Sequence, residues 1–379
     1  MSEKNDNKVP NVPNLRFGSS EVWTQTTIGK IAQVVGGGTP ETDNLDYWNG
    51  NIQWFTPSEV GQTKYIEKSE RTISVDGLNK SSAKLLPVGT LLLSTRATVG
   101  ECSIALNECS TNQGFQSLIA SDKVNNEFLY YLIATKKRHF VKYACGSTFL
   151  EISNKEVAKT KIFVPQQRVQ EKIATFLSKI DQRIETQSKI INCLESLLKE
   201  ISHHYFFGLN DTEIALSKIA DIYQPKTISQ SECSENGTYN VFGANGIIGK
   251  FNQYNHDLPQ ICITCRGSTS GNVFMTESYS WITGNAMVIN IDKNLEIVNK
   301  TFLYYYLSSM SFKNIISGSG QPQIVREPLM KIKIKLPSLE EQLRFEKIIN
   351  SFANKLQKEK DILVLYKKQK AYLLSNMFI

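Results

Sequence analysis

No two of the 11 prolines in this 379-residue chain are adjacent. That removes the Asn/Asp-Pro-Pro-aromatic loop with which amino-group DNA methyltransferases hold a target base. There is no Gly-Lys-Ser/Thr, hence no P-loop, and Gly36-Gly37-Gly38-Thr39 lacks the Gly-x-Gly-x-x-Gly spacing of a dinucleotide site. No Pro-Asp dipeptide opens a Pro-Asp…Glu-x-Lys nuclease centre. Only four histidines occur, none at metal-ligand spacing, which leaves little for general-base chemistry. A binder is expected rather than an enzyme, with no metal and no cofactor of its own.

Seven cysteines scattered over a long chain do not form a disulfide framework and point to a reducing compartment. The one Cys-x-x-Cys, Cys262 and Cys265, falls in an expected strand, where residues three apart face opposite sides and cannot share a metal without a turn. No run approaches the ~20 apolar residues of a membrane span, and the first 14 residues are polar and Asn/Pro-rich, unlike a signal peptide. A soluble cytoplasmic protein is the expectation.

What is present is a repeat. Gly146-Ser-Thr-Phe-Leu-Glu-Ile aligns with Gly318-Ser-Gly-Gln-Pro-Gln-Ile at an offset of 172, and the offset then holds: Pro165 matches Pro337, Gln170 matches Gln342, Leu177 matches Ile349 and Phe206 matches Phe378. Upstream, Phe128-Leu-Tyr-Tyr matches Phe302-Leu-Tyr-Tyr, and Leu93-Ser-Thr-Arg96 resembles Ile263-Thr-Cys-Arg266. The net charge of +7 is shared between the halves, with 24 basic against 21 acidic residues through Gly208 and 19 against 15 after it. A mild basic excess fits a nucleic-acid partner without requiring one.

Each copy closes in a long helix that opens after a proline. Residues Ile173, Leu177, Ile180, Ile184, Gln187, Ile191, Leu194, Leu198, Ile201 and Tyr205 alternate in steps of four and three; so do Phe345, Ile349, Phe352, Leu356, Glu359, Leu363, Tyr366, Lys370, Leu373 and Met377. Sustained 3.5-residue spacing is a coiled-coil seam, and both copies carry a polar residue at its fifth position. At 1.5 Å per residue the seam runs about 48 Å. Pairing of the two helices with each other is favoured; pairing with partner subunits or a second copy serves the heptads as well. The spacing itself does not distinguish parallel from antiparallel. Before each helix lie short apolar runs broken by Gly, Pro and Asn, such as Gly89-Thr-Leu-Leu-Leu-Ser, Ile261-Cys-Ile-Thr and Ala286-Met-Val-Ile-Asn-Ile, which read as strands. Helices are expected over 127–140 and 299–311. The fold class is thus mixed α+β: a leader (1–21), a globular domain (22–164), a central helix (165–209), a second domain (210–336) and a distal helix (337–379).

The arrangement resembles the specificity subunit of Type I restriction and modification systems. The leader Val12-Pro-Asn-Leu-Arg-Phe17 with Trp23 is similar to the family's opening. Gly36-Gly-Gly-Thr-Pro40, Tyr47-Trp48, Ile52-Gln-Trp-Phe-Thr-Pro-Ser-Glu-Val60, Thr95-Arg-Ala-Thr-Val-Gly100 and Thr111-Asn-Gln-Gly-Phe115 resemble its target recognition domains, as do Tyr239-Asn-Val-Phe-Gly-Ala-Asn-Gly-Ile-Ile-Gly249 and Arg266-Gly-Ser-Thr-Ser-Gly271. The second domain departs from the first, with Gln224-Pro225 and Val241-Phe-Gly-Ala where the first has Gly-Gly-Gly-Thr-Pro and Trp54-Phe, so the two look like different subtypes. The resemblance implies an antiparallel pseudo-twofold coiled coil and a non-catalytic subunit that reads a two-part site in double-stranded DNA, one half per domain. It further implies two modification subunits that methylate adenine with S-adenosylmethionine, joined by restriction subunits that use ATP and Mg. B-DNA repeats its groove every ~34 to 36 Å, so two such readers leave an unread spacer between half-sites.

Base edges need donors and forks, chiefly Arg or Lys to guanine and Asn or Gln to adenine. Candidates of those types near the motifs are Thr39, Ser58, Lys64, Arg96, Thr98, Asn112 and Gln113 in the first domain, and Asn240, Asn245, Arg266, Ser268, Thr269 and Asn285 in the second. For each, a solvated or turn-capping role competes. Arg96 and Arg266 stand out because each follows a strand and precedes a glycine-terminated loop. Trp48 and Trp54 read as core. The stretches 147–151 and 319–323 are candidates for contact with DNA or with the modification subunit. A coiled-coil adaptor that recognises protein is the competing function.

Overall fold

The structure, a computed structural model, describes residues 12–16, 22–146, 150–228, 232–234, 236–244, 246–318 and 320–379. Two compact units emerge, Met1–Thr186 with Leu363–Ile379, and Gln187–Ile362.

In the first unit the run at 89–94 supplies Leu91–Leu93, the middle of a five-stranded sheet ordered Ala32–Gly36, Gln116–Ala120, Leu91–Leu93, Cys102–Ala105, Tyr65–Ile66. Only the last pair is parallel. Leu91 and Leu93 enter one apolar cluster and Leu92 another, so both faces of the strand are covered and the uniform apolar run is explained. A second sheet joins Arg71–Ile73, Trp48–Phe55 and Cys109–Thr111. Trp48 and Trp54 are buried there edge to face at 5.1 Å, with Arg71 lying 3.5 Å over Trp48. The expected helix over 127–140 is two helices, Asn126–Thr135 and Lys137–Tyr143. At the break the Thr135 hydroxyl donates to the Leu132 carbonyl at 2.7 Å, a side-chain bond that competes with helix continuation. An antiparallel ribbon of Thr24–Thr27 with Lys161–Val164 closes the domain just before the central helix, Gln167–Phe207. Within this unit Ile173, Leu177 and Ile180 of that helix share a core with Leu373, Met377 and Phe378, and Asp181 pairs with Lys370 at 2.6 Å.

The second unit repeats the plan with fewer strands. Its main sheet is ordered Asp221–Tyr223, Ala286–Asn290, Ile261–Thr264, Val273–Met275, all antiparallel, beside a three-stranded sheet of Gly246–Phe251, Tyr239–Gly243 and Trp281–Ile282. Cys262 and Cys265 are both buried but belong to different apolar clusters, so their thiols face opposite ways. The helix expected over 299–311 is Lys300–Ser309. A ribbon of Glu213–Ala215 with Lys333–Lys335 again precedes a long helix, Leu339–Met377.

Inside this unit the two long helices run antiparallel. Gln187 donates to the Glu359 carbonyl at 3.0 Å and to its carboxylate at 2.6 Å, while Phe206, further along the central helix, meets the earlier Phe345 at 4.9 Å. The polar residues at the fifth seam position therefore pair with each other. Ile191, Phe345 and Ile349 are buried, and Leu194, Leu198, Phe352 and Leu356 half-buried. In the first unit Ile173, Leu177 and Ile180 are buried, and Ile184 and Leu363 half-buried. Each fully buried leucine or isoleucine contributes about 1.5–3 kcal/mol relative to exposure.

The two domains grip the helices by equivalent aromatic plugs. Phe128 packs on Phe378 at 5.5 Å and on Trp23 at 6.1 Å in the first unit. Phe302 packs on Phe206 at 5.4 Å and Phe345 at 5.8 Å in the second. Beside the first plug, Leu15 of the leader donates its N–H to the Asn376 carbonyl at 2.9 Å.

Candidate nucleic-acid interface

In the first domain most candidates converge on one place. Strand Leu91–Leu93 ends in Ser94-Thr-Arg96, and the next residue, Ala97, adopts the left-handed region (φ 61°) before Gly100 (φ 87°) turns the loop back. The backbone there is fixed: the Thr95 N–H bonds the Gly114 carbonyl at 2.8 Å, and Thr98 donates its hydroxyl to the Pro57 carbonyl at 3.0 Å. An open cleft of about 350 Å³ results, lined by Ser58, Arg96, Asn112 and Gln113 together with Pro57, Ala97 and Gly114. Thr39 joins through its hydroxyl, which donates to the Gln113 side-chain carbonyl at 2.5 Å. Asn112 spends its side-chain oxygen on the Gly114 N–H at 2.8 Å.

The glycine run makes that gathering possible. Trp54 holds the Gly38 carbonyl through its indole N–H at 2.9 Å, and the Gly38 N–H bonds the Thr111 carbonyl at 2.8 Å. A Cβ on Gly37 would come within 2.0 Å of the Asn112 carbonyl oxygen, so only glycine lets the backbone just after strand Cys109–Thr111 approach this closely.

Lys64 lies apart. Its side chain is only 9% exposed, and the ammonium donates to Glu127 at 2.9 Å, Tyr131 at 3.2 Å and Ser178 of the central helix at 2.6 Å. Burial by itself would raise the Glu127 pKa, but hydrogen bonds from Ser178, Tyr65 and Lys64 together hold it below the ordinary carboxylate value. Tyr131 in turn donates to Asp181, the partner of Lys370. This network ties the first domain to the helices and keeps Lys64 from the cleft.

The second domain repeats the loop with different surroundings. Arg266 is exposed, Gly267 (φ 90°) stands where the first domain has Ala97, and Gly271 (φ 95°) closes the turn. Thr269 lines an open cleft of about 700 Å³ with Ala244, Gly246, Gly271, Asn272 and Ser308 among its walls. Ser268 is exposed beside it, and the Asn285 carbonyl accepts the Cys265 N–H at 3.0 Å, next to Arg266. Asn240 is engaged elsewhere, donating to the Glu277 carboxylate. Asn245 lies outside the described residues.

One contact is shared by both domains. The backbone of Arg96 bridges to Glu151 in antiparallel fashion and that of Arg266 to Gln323, each partner being also bridged to a second residue, Cys145 and Ser317 respectively. The stretches 147–151 and 319–323 thus end beside the two arginines, although 147–149 and 319 lie outside the described residues. The Arg96 Nε lies 3.7 Å from the Glu151 carboxylate, both side chains about two-fifths exposed; Gln323 offers no such charge.

Residues 20–196 and 211–365 match the family described as the Type I restriction modification DNA specificity domain. The chain belongs to this family. Among its relatives, the Type I restriction enzyme MjaIX specificity subunit of Methanocaldococcus jannaschii is 37% identical over 188 residues, 48% of this chain and 44% of that one. The EcoprrI specificity subunit of Escherichia coli is 23% identical over 349 residues, 86% of each. So the chain spans under half the length of the first relative and most of the second. The crystal structure of a Type I restriction-modification S subunit from M. genitalium has the same fold, with a TM-score of 0.59 at 19% identity over 97% of this chain and 99% of that one. A structure of the type I R-M system gives 0.63 at 16% identity, covering 93% and 96%. Membership in a DNA specificity family speaks against the adaptor alternative.

Sequence reasoning missed Pro57, Ala97 and Gly114 of the first cleft, which are apolar or small and carry no chemical signal, and Asn272 and Ser308 of the second, polar residues that lie outside the quoted motifs.

Proposed function

We propose that this chain is the DNA-reading subunit of a Type I restriction-modification complex in which each domain reads one half of a bipartite duplex target. The observation that carries this is the repeated arginine, Arg96 and Arg266, set at the same point of two otherwise different loop surroundings. Equivalent backbone with different neighbours is what two readers of different half-sites need. The paired helices set the unread spacer and dock two modification subunits; restriction subunits complete the assembly. S-adenosylmethionine, ATP and Mg belong to those partners, and this chain supplies no catalytic group, metal or cofactor. The complex works on DNA in the cytoplasm. No described helix is long and apolar enough to cross a membrane.

The cleft residues act chiefly as donors to base edges: a guanidinium suits guanine O6 and N7, and the Asn112 and Gln113 amides, their oxygens already accepting from Gly114 and Thr39, present NH2 donors to base acceptors such as adenine N7. Binding is tested by titrating random duplex with the chain and its modification subunits across a salt series. Log affinity should fall linearly with log salt, as phosphate contacts release counterions. Binding that ignores salt, or none at all, would overturn the reading.

A further inference from the structure

Two glutamines, equivalent in the repeat, occupy the same buried junction in both domains. Gln170 is 2% and Gln342 0% exposed. Gln170 accepts the Asn125 N–H at 3.0 Å and donates to the Pro165 carbonyl at 3.0 Å and the Lys123 carbonyl at 3.3 Å. Gln342 accepts the Asn299 N–H at 2.8 Å and donates to the Pro337 carbonyl at 2.8 Å and the Ile297 carbonyl at 3.0 Å. One amide head thus binds the first turn of its own long helix to the segment that enters the domain's helix. That segment continues inward: Asn125 caps the N–H of Phe128 at 2.9 Å and Asn299 that of Phe302 at 2.8 Å, the same phenylalanines that plug the domains onto the helices.

Only a side-chain amide offers one acceptor and two donors on a single planar head; carboxylate cannot donate and ammonium cannot accept. Apolar packing alone would permit small rotations of a domain on its helix, because dispersion is non-directional. Three directed hydrogen bonds on a buried head do not.

We propose that Gln170 and Gln342 are positioning residues that fix the angle of each recognition domain on the helix that follows it, so that the spacer between half-sites is read to the base pair. This rests on the bipartite reading above. The test uses the full chain with its modification subunits and duplexes in which both half-sites are constant and the spacer is native or changed by one base pair. Gln170→Leu should preserve base preference in both half-sites while the preference for the native spacer falls about tenfold, the scale of leaving buried partners unsatisfied. Gln342→Leu should do the same. Should the leucine variants misfold, Gln170→Glu keeps the acceptor, loses both donors and should show the same fall. Ile173→Val trims the adjacent core and should lower thermal stability without moving the spacer preference. An unchanged preference in a folded Gln170→Leu or Gln170→Glu, or an equal fall in Ile173→Val, would overturn the positioning role alone. A wild-type complex indifferent to spacer length would overturn the bipartite reading and this inference with it.

Discussion

Arg96 and Arg266 leave their strands at matching points, but Glu151 faces one and Gln323 the other. Each guanidinium can fork onto a guanine edge, a contact that discriminates by about 1–3 kcal/mol. Arg96→Ala should therefore weaken one half-site by about that amount and leave the other unchanged, with Arg266→Ala doing the converse; affinities for duplexes carrying single base changes measure it. Uniform weakening over all sequences, with a shallower salt slope, would mark a phosphate contact instead. At this scale the sequence shows residue type and little else. Thr39, Ser58, Arg96, Thr98, Asn112 and Gln113 could be named because bases demand donors and acceptors, and the fold brings them to one cleft or its rim. Lys64 has the same chemistry and a different place, because its partners Glu127 and Ser178 lie 63 and 114 residues away in the chain. Gln170 and Gln342 were visible as a match in the repeat, yet their hydrogen bonds run to backbone groups that no motif encodes.

The long helices were the most legible elements, since a 3.5-residue period persists only where one face stays covered. Their direction was not, because a heptad pattern serves parallel and antiparallel pairs equally; the pairing of Gln187 with Glu359 and of Phe206 with Phe345 decides it. A polar pair within an apolar seam costs stability and specifies register. Replacing both residues by leucine should raise the urea midpoint by an amount equivalent to about 1 kcal/mol or more. Gln187→Leu alone should lower it, because the Glu359 carboxylate loses its donor. Equal effects from the single and double substitutions would refute this role. Strands were legible where both faces are buried, as at Leu91–Leu93, whereas the break between Thr135 and Lys137 depends on one hydroxyl bond and left no trace in the apolar pattern.

For the molecule as a whole, the 172-residue repeat was legible because both copies need the same ribbon, plug and glutamine clamp. Between those anchors the two domains keep matching arginine loops but surround them with different side chains. Exchanging residues 22–164 for another recognition domain should accordingly change one half-site of the methylated target and preserve the other, as read by mapping N6-methyladenine; a change in both would refute modularity. The Phe128–Phe378 contact also orders events in time. The second unit is one continuous stretch, Gln187–Ile362, but the first needs Leu363–Ile379 to complete its core. Domains fold as the ribosome releases them, at about 5–20 residues per second. The core of the domain made first is therefore completed only by residues 363–379, which are made after the whole of the second unit.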